Sequence, residues 1–328
     1  MPIISVDHLS KHYKVYKKEP GLAGSFKSLF HREYEIVKAV DDISFEIKEG
    51  ELIGFIGPNG AGKTTTLKTL SGLLYPSSGK VSVLGFVPFQ RKNEFLKQIS
   101  LVMGQKNQLW WDLPGMESLL LNKEIYEVPD AKFQEVVHDL SRILDAQEFL
   151  HVQVRKLSLG QRMKMELMAS LIHSPKVLFL DEPTIGLDVV MQKNLRDFIK
   201  EYNRKFNATI ILTSHYMGDV EELCKRVIII NHGKILFDGN LSDLAKKHAP
   251  YKVISIVLKD QIDPRKLEGL GEIVSFVYPK LVINTKNKQA NESIAKLLKV
   301  APAEDITIED PAIEDIIRDI FNAANPKE

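Results

Sequence analysis

The chain has 328 residues, and its 44 basic and 43 acidic residues leave a formal net charge of +1. This balance gives no global positive field, so we expect no nucleic-acid partner. The length predicts about two domains, and the single cysteine, Cys224, excludes an internal disulfide framework. No apolar run approaches the roughly 18–20 residues that span a bilayer, and the N-terminus lacks a secretion signal. We therefore expect a cytoplasmic protein unless another chain holds it at a membrane.

Short apolar and β-branched runs alternate with helical stretches over residues 1–245. The predicted strands are residues 44–47, 52–57, 80–84, 177–181, 209–214, 227–230 and 235–237. Several are apolar throughout, which predicts a sheet covered on both faces and so an α/β fold. A His232-Gly233 turn predicts that the last two strands form a hairpin. Between about 93 and 175 helical spacing dominates, which predicts a helical subdomain inserted into the α/β core.

Residues 246–328 follow a different pattern, which predicts a small α+β accessory domain. The predicted strands are residues 251–259, 272–278, 281–285 and 305–308, and the predicted helices are 264–270 and 289–298. A final helix is predicted with Asp310 as its N-cap and Pro311 in its first position. The order β-α-β-β-α-β-α is that of a ferredoxin-like module. Whether this domain dimerises, binds a regulator or caps the core stays open.

A glycine-rich motif stands between the predicted strand 52–57 and a predicted helix over about 63–73. Glycines there let successive backbone N–H groups converge on phosphate oxygens, and the helix N-terminus adds positive charge. Lys63 is predicted to bridge the β- and γ-phosphates of ATP, and the Thr64 hydroxyl to bind Mg²⁺. The motif fits G-x-x-x-x-G-K-[ST] in full and consists of Gly57, Pro58, Asn59, Gly60, Ala61, Gly62, Lys63, Thr64 and Thr65.

Two carboxylates follow the apolar residues 177–180. At the carboxyl end of a buried strand, Asp181 is predicted to hold Mg²⁺, and Glu182 to be the general base that activates the attacking water. The next strand leads to His215, whose imidazole can donate a hydrogen bond to the γ-phosphate. A glycine-rich loop alone leaves kinases, GTPases, helicases and transport ATPases open, and these three residues narrow the choice.

The run Leu157-Ser158-Leu159-Gly160-Gln161 lies a helix's length before the two carboxylates. It resembles the Leu-Ser-Gly-Gly-Gln signature of the ABC ATPase family, from which it departs at Leu159. The resemblance covers about residues 3–245 and implies the P-loop NTPase core of ABC type. It also implies that Ser158 and Gly160 contact the γ-phosphate held by a second copy of the chain. Leu159 puts bulk near that nucleotide, which leaves the turnover rate open.

The resemblance assigns three more residues. Gln105 matches the glutamine that touches Mg²⁺ or the attacking water and links the site to a membrane partner. Asp188, which closes Ile185-Gly186-Leu187-Asp188, matches the loop that crosses the dimer interface. Tyr13 best matches the aromatic residue that stacks on adenine. Tyr16 and Tyr34 are rival candidates, and simple packing is the alternative role for Tyr13.

An extra segment at about 14–38 separates this chain from a minimal ATPase unit. Its apolar side chains at helical spacing predict a short amphipathic helix. This helix either lies at a membrane surface or packs on its own domain. Its position resembles that of the extra helix in ATPase subunits of polysaccharide exporters, which sits near the channel entrance. The residues of the apolar face are Leu22, Phe26, Leu29 and Phe30.

Both tryptophans of the chain, Trp110 and Trp111, lie just after Gln105. In the family this surface receives the coupling helix of the membrane subunit, and aromatic residues are favoured interface anchors. The alternative is ordinary packing inside the helical subdomain.

The chain looks most like ATPase subunits of drug- and polysaccharide-exporting ABC systems, and residues 305–317 resemble the tail common in the drug-export branch. The resemblance implies an ATP-hydrolysing subunit, peripheral on the inner face of the cell membrane. Its implied partners are an integral-membrane permease and a second copy of itself. An importer ATPase and a soluble ABC ATPase that acts on ribosomes or DNA are the alternatives. The single glycine-rich loop and the lack of a Cys/His cluster weigh against the soluble class.

Overall fold

The computed structural model describes residues 1–16, 34–104, 108–263, 267, 269, 271–286, 290–300 and 302–324. They fall into two compact units, Met1–Gly239 and Asn240–Glu328, whereas the sequence suggested a boundary near 245. The predicted helix that carries Leu22, Phe26, Leu29 and Phe30 lies outside the described residues. No helix within the described ranges is long and apolar enough to cross a membrane.

The first unit combines two sheets with a set of helices. Its strands are β1 (Ile4–Tyr16), β2 (Tyr34–Ile47), β3 (Leu52–Ile56), β4 (Ser78–Val83), β5 (Ile99–Met103), β6 (Val177–Asp181), β7 (Thr209–Thr213), β8 (Arg226–Asn231) and β9 (Lys234–Asn240). Its helices are α1 (Lys63–Leu70), α2 (Asn93–Leu96), α3 (Gly115–Ile125), α4 (Asp130–Ile143), α5 (Leu159–Leu171), α6 (Val189–Phe206) and α7 (Met217–Leu223).

The larger sheet has the strand order β5-β6-β7-β3-β8-β9, and the strands from β5 to β8 run parallel. All residues of β6 and β7 are buried, as expected for parallel strands that are covered on both faces. The predicted hairpin is confirmed: β8 and β9 are joined at His232 and Gly233, whose φ angles of 46° and 77° suit a type I′ turn. The parallel order places the carboxyl ends of β3, β6 and β7 at one edge.

The stretch predicted to be helical from about 93 to 175 contains a strand, β5, directly after the short helix α2. β5 pairs in parallel with β6, from Ile99 opposite Val177 to Met103 opposite Asp181, so the prediction was wrong for this part. Strand pairing is a tertiary contact, and five residues carry too little local pattern to reveal it. The helices α3, α4 and α5 follow it. α4 buries Phe133, Val136, Val137 and Leu140, the spacing of one helical face.

A second sheet has the strand order β2-β1-β4. The first and last residues of the extra segment predicted at 14–38 belong to its strands β1 and β2. β1 and β2 form a long antiparallel pair that extends to Tyr16 opposite Tyr34. The extra segment is therefore entered and left through strands. Apolar residues of both sheets, such as Ile4, Ile43 and Phe55, belong to one buried cluster.

The second unit contains α8 (Leu241–His248), β10 (Tyr251–Leu258), β11 (Glu272–Val277), β12 (Lys280–Lys286), α9 (Ala290–Val300), β13 (Ala303–Glu309) and α10 (Ile313–Ala324). Its sheet is antiparallel with the order β11-β12-β10-β13, which is the ferredoxin-like arrangement that the sequence predicts. Alternate residues of β10, Ile254, Ile256 and Leu258, enter its core. Of the predicted helix at 264–270, only Leu267 and Gly269 are described.

The start of the last helix differs from the prediction. α10 begins at Ile313, and the carbonyl oxygen of Ala312 accepts hydrogen bonds from the backbone N–H groups of Asp315 and Ile316. Asp310 is therefore not the N-cap, and its carboxylate instead pairs with Lys252 Nζ at 2.6 Å. The helix starts two residues later than the sequence pattern predicts.

We predict that Tyr202→Phe raises the free energy of unfolding by about 1 kcal/mol. Tyr202 on α6 is 2% exposed, its ring packs on Phe198 and Phe206, and its hydroxyl finds no hydrogen-bond partner among the described residues. Removing a buried, unpaired hydroxyl removes its desolvation cost. Urea unfolding followed by circular dichroism measures the change. The exposed Tyr75→Phe should change nothing, and a clear loss of stability in Tyr202→Phe would contradict the assignment.

Candidate active site

The glycine-rich loop lies between β3 and α1. Gly62, the N-cap of α1, has a φ of 110°, and a Cβ there would lie 2.3 Å from the carbonyl oxygen of Ala39 on β2. A Cβ at Gly57 would lie 2.3 Å from the carbonyl oxygen of Ile230 on β8. Both positions therefore require glycine. The loop packs against two strands and leads into a helix N-terminus, a place that favours bound anions.

Lys63 folds back over the loop that precedes it. Its buried Nζ donates hydrogen bonds to the carbonyl oxygens of Gly57 at 2.7 Å and Pro58 at 3.1 Å. Burial lowers the pKa of Lys63, while the nearby carboxylates of Glu182 and Asp181 raise it. The ammonium group is thus kept between the loop and two carboxylates, and an anionic phosphate oxygen is a stronger acceptor than either carbonyl.

Asp181, at the end of β6, joins three elements through its carboxylate. Oδ2 accepts a hydrogen bond from Thr64 Oγ1 on α1 at 2.8 Å, and Oδ1 accepts one from Thr213 Oγ1 at the end of β7 at 2.7 Å. The two residues predicted to bind Mg²⁺, Thr64 and Asp181, are therefore in direct contact. Sequence reasoning missed Thr213, although a polar residue that ends the strand before His215 is a signal that could have found it.

Glu182 and His215 come together at the same edge. His215 Nε2 lies 2.6 Å from Glu182 Oε1, and Glu182 adopts a φ of 54°. The backbone N–H of Glu182 donates to Thr213 Oγ1 at 3.0 Å, so β7 also fixes its main chain. A Cβ at Gly104, which follows β5, would lie 2.2 Å from the Glu182 carbonyl oxygen. A strained backbone that several neighbours hold in place is typical of a functional carboxylate.

The signature residues form the start of α5. Ser158 is the N-cap: its Oγ accepts from the Gln161 backbone N–H, and the Gln161 side chain accepts from the Ser158 backbone N–H. Gly160 is buried against Met191 of α6, where a Cβ would lie 2.8 Å from the methionine Cε. Leu159 is 40% exposed, and its Cδ2 would lie 3.2 Å from a Cβ placed at Gly186. In the described residues no hydrogen bond joins the signature to the glycine-rich loop.

Asp188 is the N-cap of α6, and its Oδ1 accepts a hydrogen bond from the Met191 backbone N–H at 2.9 Å. The side chains that follow it, Val189 and Val190, are 77% and 68% exposed. The predicted interface residue therefore stands at an exposed helix end whose first turn is apolar.

A second residue that sequence reasoning missed lies behind the site. Asp219 of α7 is fully buried and accepts hydrogen bonds from Thr184 Oγ1 at 2.7 Å, Ser214 Oγ at 2.7 Å and Arg196 Nη1 at 3.0 Å. Thr184 follows Glu182 closely in the chain, and Ser214 precedes His215. Asp219 thus joins the two segments that carry the Glu182–His215 pair. No local motif marks it, because its partners come from three separate elements.

Tyr13 lies on β1 opposite Val37, on the strand pair whose Ala39 packs against Gly62. Its ring is partly exposed, with Lys11 Nζ 5.2 Å from the ring centroid. The rivals Tyr16 and Tyr34 pack edge to face on one another, with centroids 6.2 Å apart.

Gln105 lies outside the described residues. The segment after it is described, and Trp110 and Trp111 are 58% and 48% exposed. Arg162 lies over the Trp111 ring, so a permease contact and packing within the helical subdomain both stay candidate roles for these side chains. The described part of the chain has no group of three or more His, Cys, Asp or Glu side chains that could hold a metal ion. A Mg²⁺ ion at this site would therefore use the hydroxyl of Thr64 together with the carboxylate of Asp181.

Comparison with known proteins agrees with this geometry. The sequence profile of the ABC transporter family matches residues 40–185, and that of the EvrA-like ABC transporter C-terminal domain matches residues 250–309. The ABC transporter ATP-binding protein NatA of Bacillus subtilis is 34% identical over 66% of this chain and 87% of its own length. The bacitracin transport ATP-binding protein BcrA of Bacillus licheniformis is 32% identical over 83% and 90%.

Solved structures show the same fold. The protein cbiO1 of Clostridium perfringens, part of the ABC transporter complex cbiONQ, superposes with a TM-score of 0.61 and 24% identity over 75% of this chain and 91% of its own. A post-hydrolysis dimer of the ATP-binding cassette MJ0796, bound to ADP and Pi, gives a TM-score of 0.59 and 21% identity over 72% and 98%. With relatives of this identity aligned along most of their length, the chain belongs to the ABC transporter family and has the fold of its ATP-binding domains.

Proposed function

We propose that this chain hydrolyses ATP as the ATPase subunit of an ABC exporter and drives a separate membrane permease. One observation carries the proposal: Lys63, the Thr64–Asp181 pair and the Glu182–His215 pair meet at one edge of the parallel sheet. Ligands of open α/β sheets bind at the carboxyl ends of the strands. The name of the relative BcrA, a bacitracin transport protein, supports transport as the process that ATP hydrolysis drives.

The glycine-rich loop would bind the phosphates of ATP, with Lys63 exchanging its two carbonyl partners for β- and γ-phosphate oxygens. The positive N-terminus of α1 adds to this attraction. Tyr13 is the proposed contact for adenine, because it lies on the strand pair that packs against the loop.

Thr64 and Asp181 fit a Mg²⁺ site, since a hydroxyl and a carboxylate oxygen 2.8 Å apart match an ion that prefers oxygen ligands and uses few from the protein. The ion would neutralise charge on the transferred phosphoryl group. Gln105 is proposed as a further ligand on the family resemblance alone. Thr213 keeps Asp181 in place through its other oxygen.

Glu182 is the proposed general base. It would take a proton from water as the water oxygen bonds to the γ-phosphorus and the bond to the ADP oxygen breaks, which gives ADP and phosphate. His215, now 2.6 Å from Glu182, would donate to a γ-phosphate oxygen. Lys63 stabilises the negative charge that the transition state spreads over the phosphoryl oxygens.

A second copy of the chain would complete each site. Ser158, Gly160 and Gln161 make no hydrogen bond to their own loop within the described residues, and they begin a helix whose N-terminus attracts an anion. A head-to-tail pair with two-fold symmetry would bring them to the partner's γ-phosphate. The exposed Asp188, Val189 and Val190 supply a surface for that contact.

The exposed Trp110, Trp111 and Leu113 are the proposed contact with the permease, which would hold the chain at the inner face of the membrane. Affinity purification from detergent-solubilised membranes tests the whole proposal. We expect a chain with several membrane spans to co-purify. Recovery of ribosomes or DNA instead, with no membrane chain, would overturn it, and a periplasmic binding protein in the complex would indicate import.

We predict that Glu182→Gln lowers ATP hydrolysis by about 10²–10⁴-fold without loss of ATP binding, because an amide cannot accept the proton. The variant should form a persistent dimer with Mg²⁺ and ATP. Phosphate release and size-exclusion chromatography measure the two effects. Glu221→Gln, at an exposed position on α7, is the matched control and should behave as wild type. Near-normal turnover of Glu182→Gln would remove Glu182 from its role.

We predict that Thr213→Val costs about 1–3 kcal/mol of stability and raises the Mg²⁺ concentration needed for half-maximal ATPase activity, because Asp181 Oδ1 loses its donor. Thr209→Val is the control: Thr209 is equally buried on β7, but its hydroxyl accepts a hydrogen bond from Gly50 at the opposite end of the strand. It should lose stability with unchanged Mg²⁺ dependence. An equal Mg²⁺ shift in both variants would refute the positioning role.

We predict that Trp111→Ala weakens binding of the permease by about tenfold or more and leaves basal ATP binding intact, because an exposed aromatic anchor is lost. Binding of the variant to permease-containing membranes gives the first quantity and nucleotide titration the second. Leu236→Ala, which truncates an exposed side chain on β9, serves as the control. Equal loss of both activities in Trp111→Ala would indicate a folding role.

A further inference from the structure

We propose that Glu166 is a positioning residue that fixes the tryptophan segment, residues 108–113, to the signature helix α5, so that movement of either is transmitted to the other. The inference deepens the proposed function: it names the route by which the permease contact would reach Ser158 and Gly160.

Two backbone hydrogen bonds join the tryptophan segment to the residues just before the signature. The Val154 backbone N–H donates to the Leu113 carbonyl oxygen at 3.0 Å, and the Arg155 N–H donates to the Trp111 carbonyl oxygen at 3.0 Å. The Arg155 guanidinium also reaches Asp112 Oδ1 at 3.2 Å. The C-terminal half of the segment therefore lies beside the loop that enters α5.

Side chains of α5 itself make the remaining contacts. Arg162, in the first turn, lies over the Trp111 ring, with Cζ 5.6 Å from a ring centroid. Glu166, one turn further along the same face, accepts the Gln108 backbone N–H with both carboxylate oxygens, at 3.1 and 3.2 Å. The first residue of the segment and its Trp111 thus both contact the helix that carries the signature.

The Glu166 contact is buried and anchored. Glu166 is 4% exposed, and Leu109, next to its partner Gln108, is 7% exposed between exposed neighbours. Gln108 Nε2 also donates to the Leu101 carbonyl oxygen of β5 at 3.0 Å. A buried carboxylate that loses its donor keeps a desolvation cost, so the Glu166–Gln108 pair resists separation. Helix and segment are therefore expected to move as one body.

A buried carboxylate carries a desolvation cost that a neutral side chain in the same contact would not carry. Burial raises the pKa of Glu166 to about 7, which the Gln108 N–H and the positive charge of Arg162 only partly oppose. Arg162 is the charged group that acts on this carboxyl among the described residues. An ionisable group kept in such surroundings is a candidate for function. The ionised form accepts the Gln108 N–H more strongly than the acid does, so the link is firmer above neutral pH.

Intrinsic fluorescence tests the inference directly, because both tryptophans of the chain lie in this segment. The measurement uses full-length protein that carries Glu182→Gln, with Mg²⁺ and ATP added. We expect ATP to shift the tryptophan emission. Glu166→Leu, added to that background, should lose most of the shift while ATP binding and dimerisation persist. Glu166→Gln, whose neutral amide oxygen accepts the Gln108 N–H less strongly than a carboxylate does, should keep a smaller shift, and the exposed Glu117→Leu is the matched control.

The outcomes separate this inference from the proposed function. Absence of ATP binding or of dimers in the Glu182→Gln protein would count against the proposed function itself. A full emission shift in Glu166→Leu, or no shift in a protein that does dimerise, would overturn the role of Glu166 alone.

A pH profile decides the matter even where Glu166→Leu fails to fold. With Glu166 present, the ATP-induced shift should be larger at pH 8 than at pH 6, because the carboxyl group titrates near neutrality. In Glu166→Gln it should not change between these values. Identical profiles for the two proteins would refute the proposal.

Discussion

The carboxylate of Asp181 holds the active site together. One oxygen is bound by Thr64 of α1 and the other by Thr213 of β7, so the loop helix, the central strand and its neighbour meet at a single side chain. Thr213 also receives the Glu182 backbone N–H, which places the proposed base relative to the proposed metal ligand. Because all these groups are buried or partly buried in a low-dielectric edge, each contact is stronger than it would be in water. The site geometry follows from this arrangement.

Two helix N-termini carry residues that are proposed to act across the dimer interface. Ser158 caps α5 and Asp188 caps α6, so residues with proposed roles across a dimer interface are already held by local hydrogen bonds in a single chain. The helix already holds its capping side chain in place, so that side chain loses little further conformational entropy when it contacts a partner. Gly160 lies against Met191 of α6, which brings these two helix starts into contact. A second copy would therefore meet a prepared surface rather than a loop that must first be ordered.

Two buried acids, Asp219 and Glu166, join chain segments around the site. Asp219 receives three donors and is fully compensated, whereas Glu166 receives one N–H, and its pKa is raised to about 7. The difference has a physical consequence: a compensated acid stabilises one arrangement, while a poorly compensated acid can change its charge when its surroundings change. Asp219 is therefore suited to hold the segment that carries His215 in one position. Glu166 suits a link between segments that are expected to move.

The sequence by itself determined the glycine-rich loop, the strand that ends in Asp181 and Glu182, the signature start of α5 and the ferredoxin-like strand order. Each depends on local pattern: apolar periodicity, a turn residue or a motif at fixed spacing. Gln105, Tyr13 and Asp188 rest on resemblance and remain proposals. Only the tertiary structure decided the membership of β5 in the sheet, the displaced start of α10, and the roles of Thr213, Asp219 and Glu166. These depend on which residues become neighbours when distant strands and helices pack, and no local pattern records that.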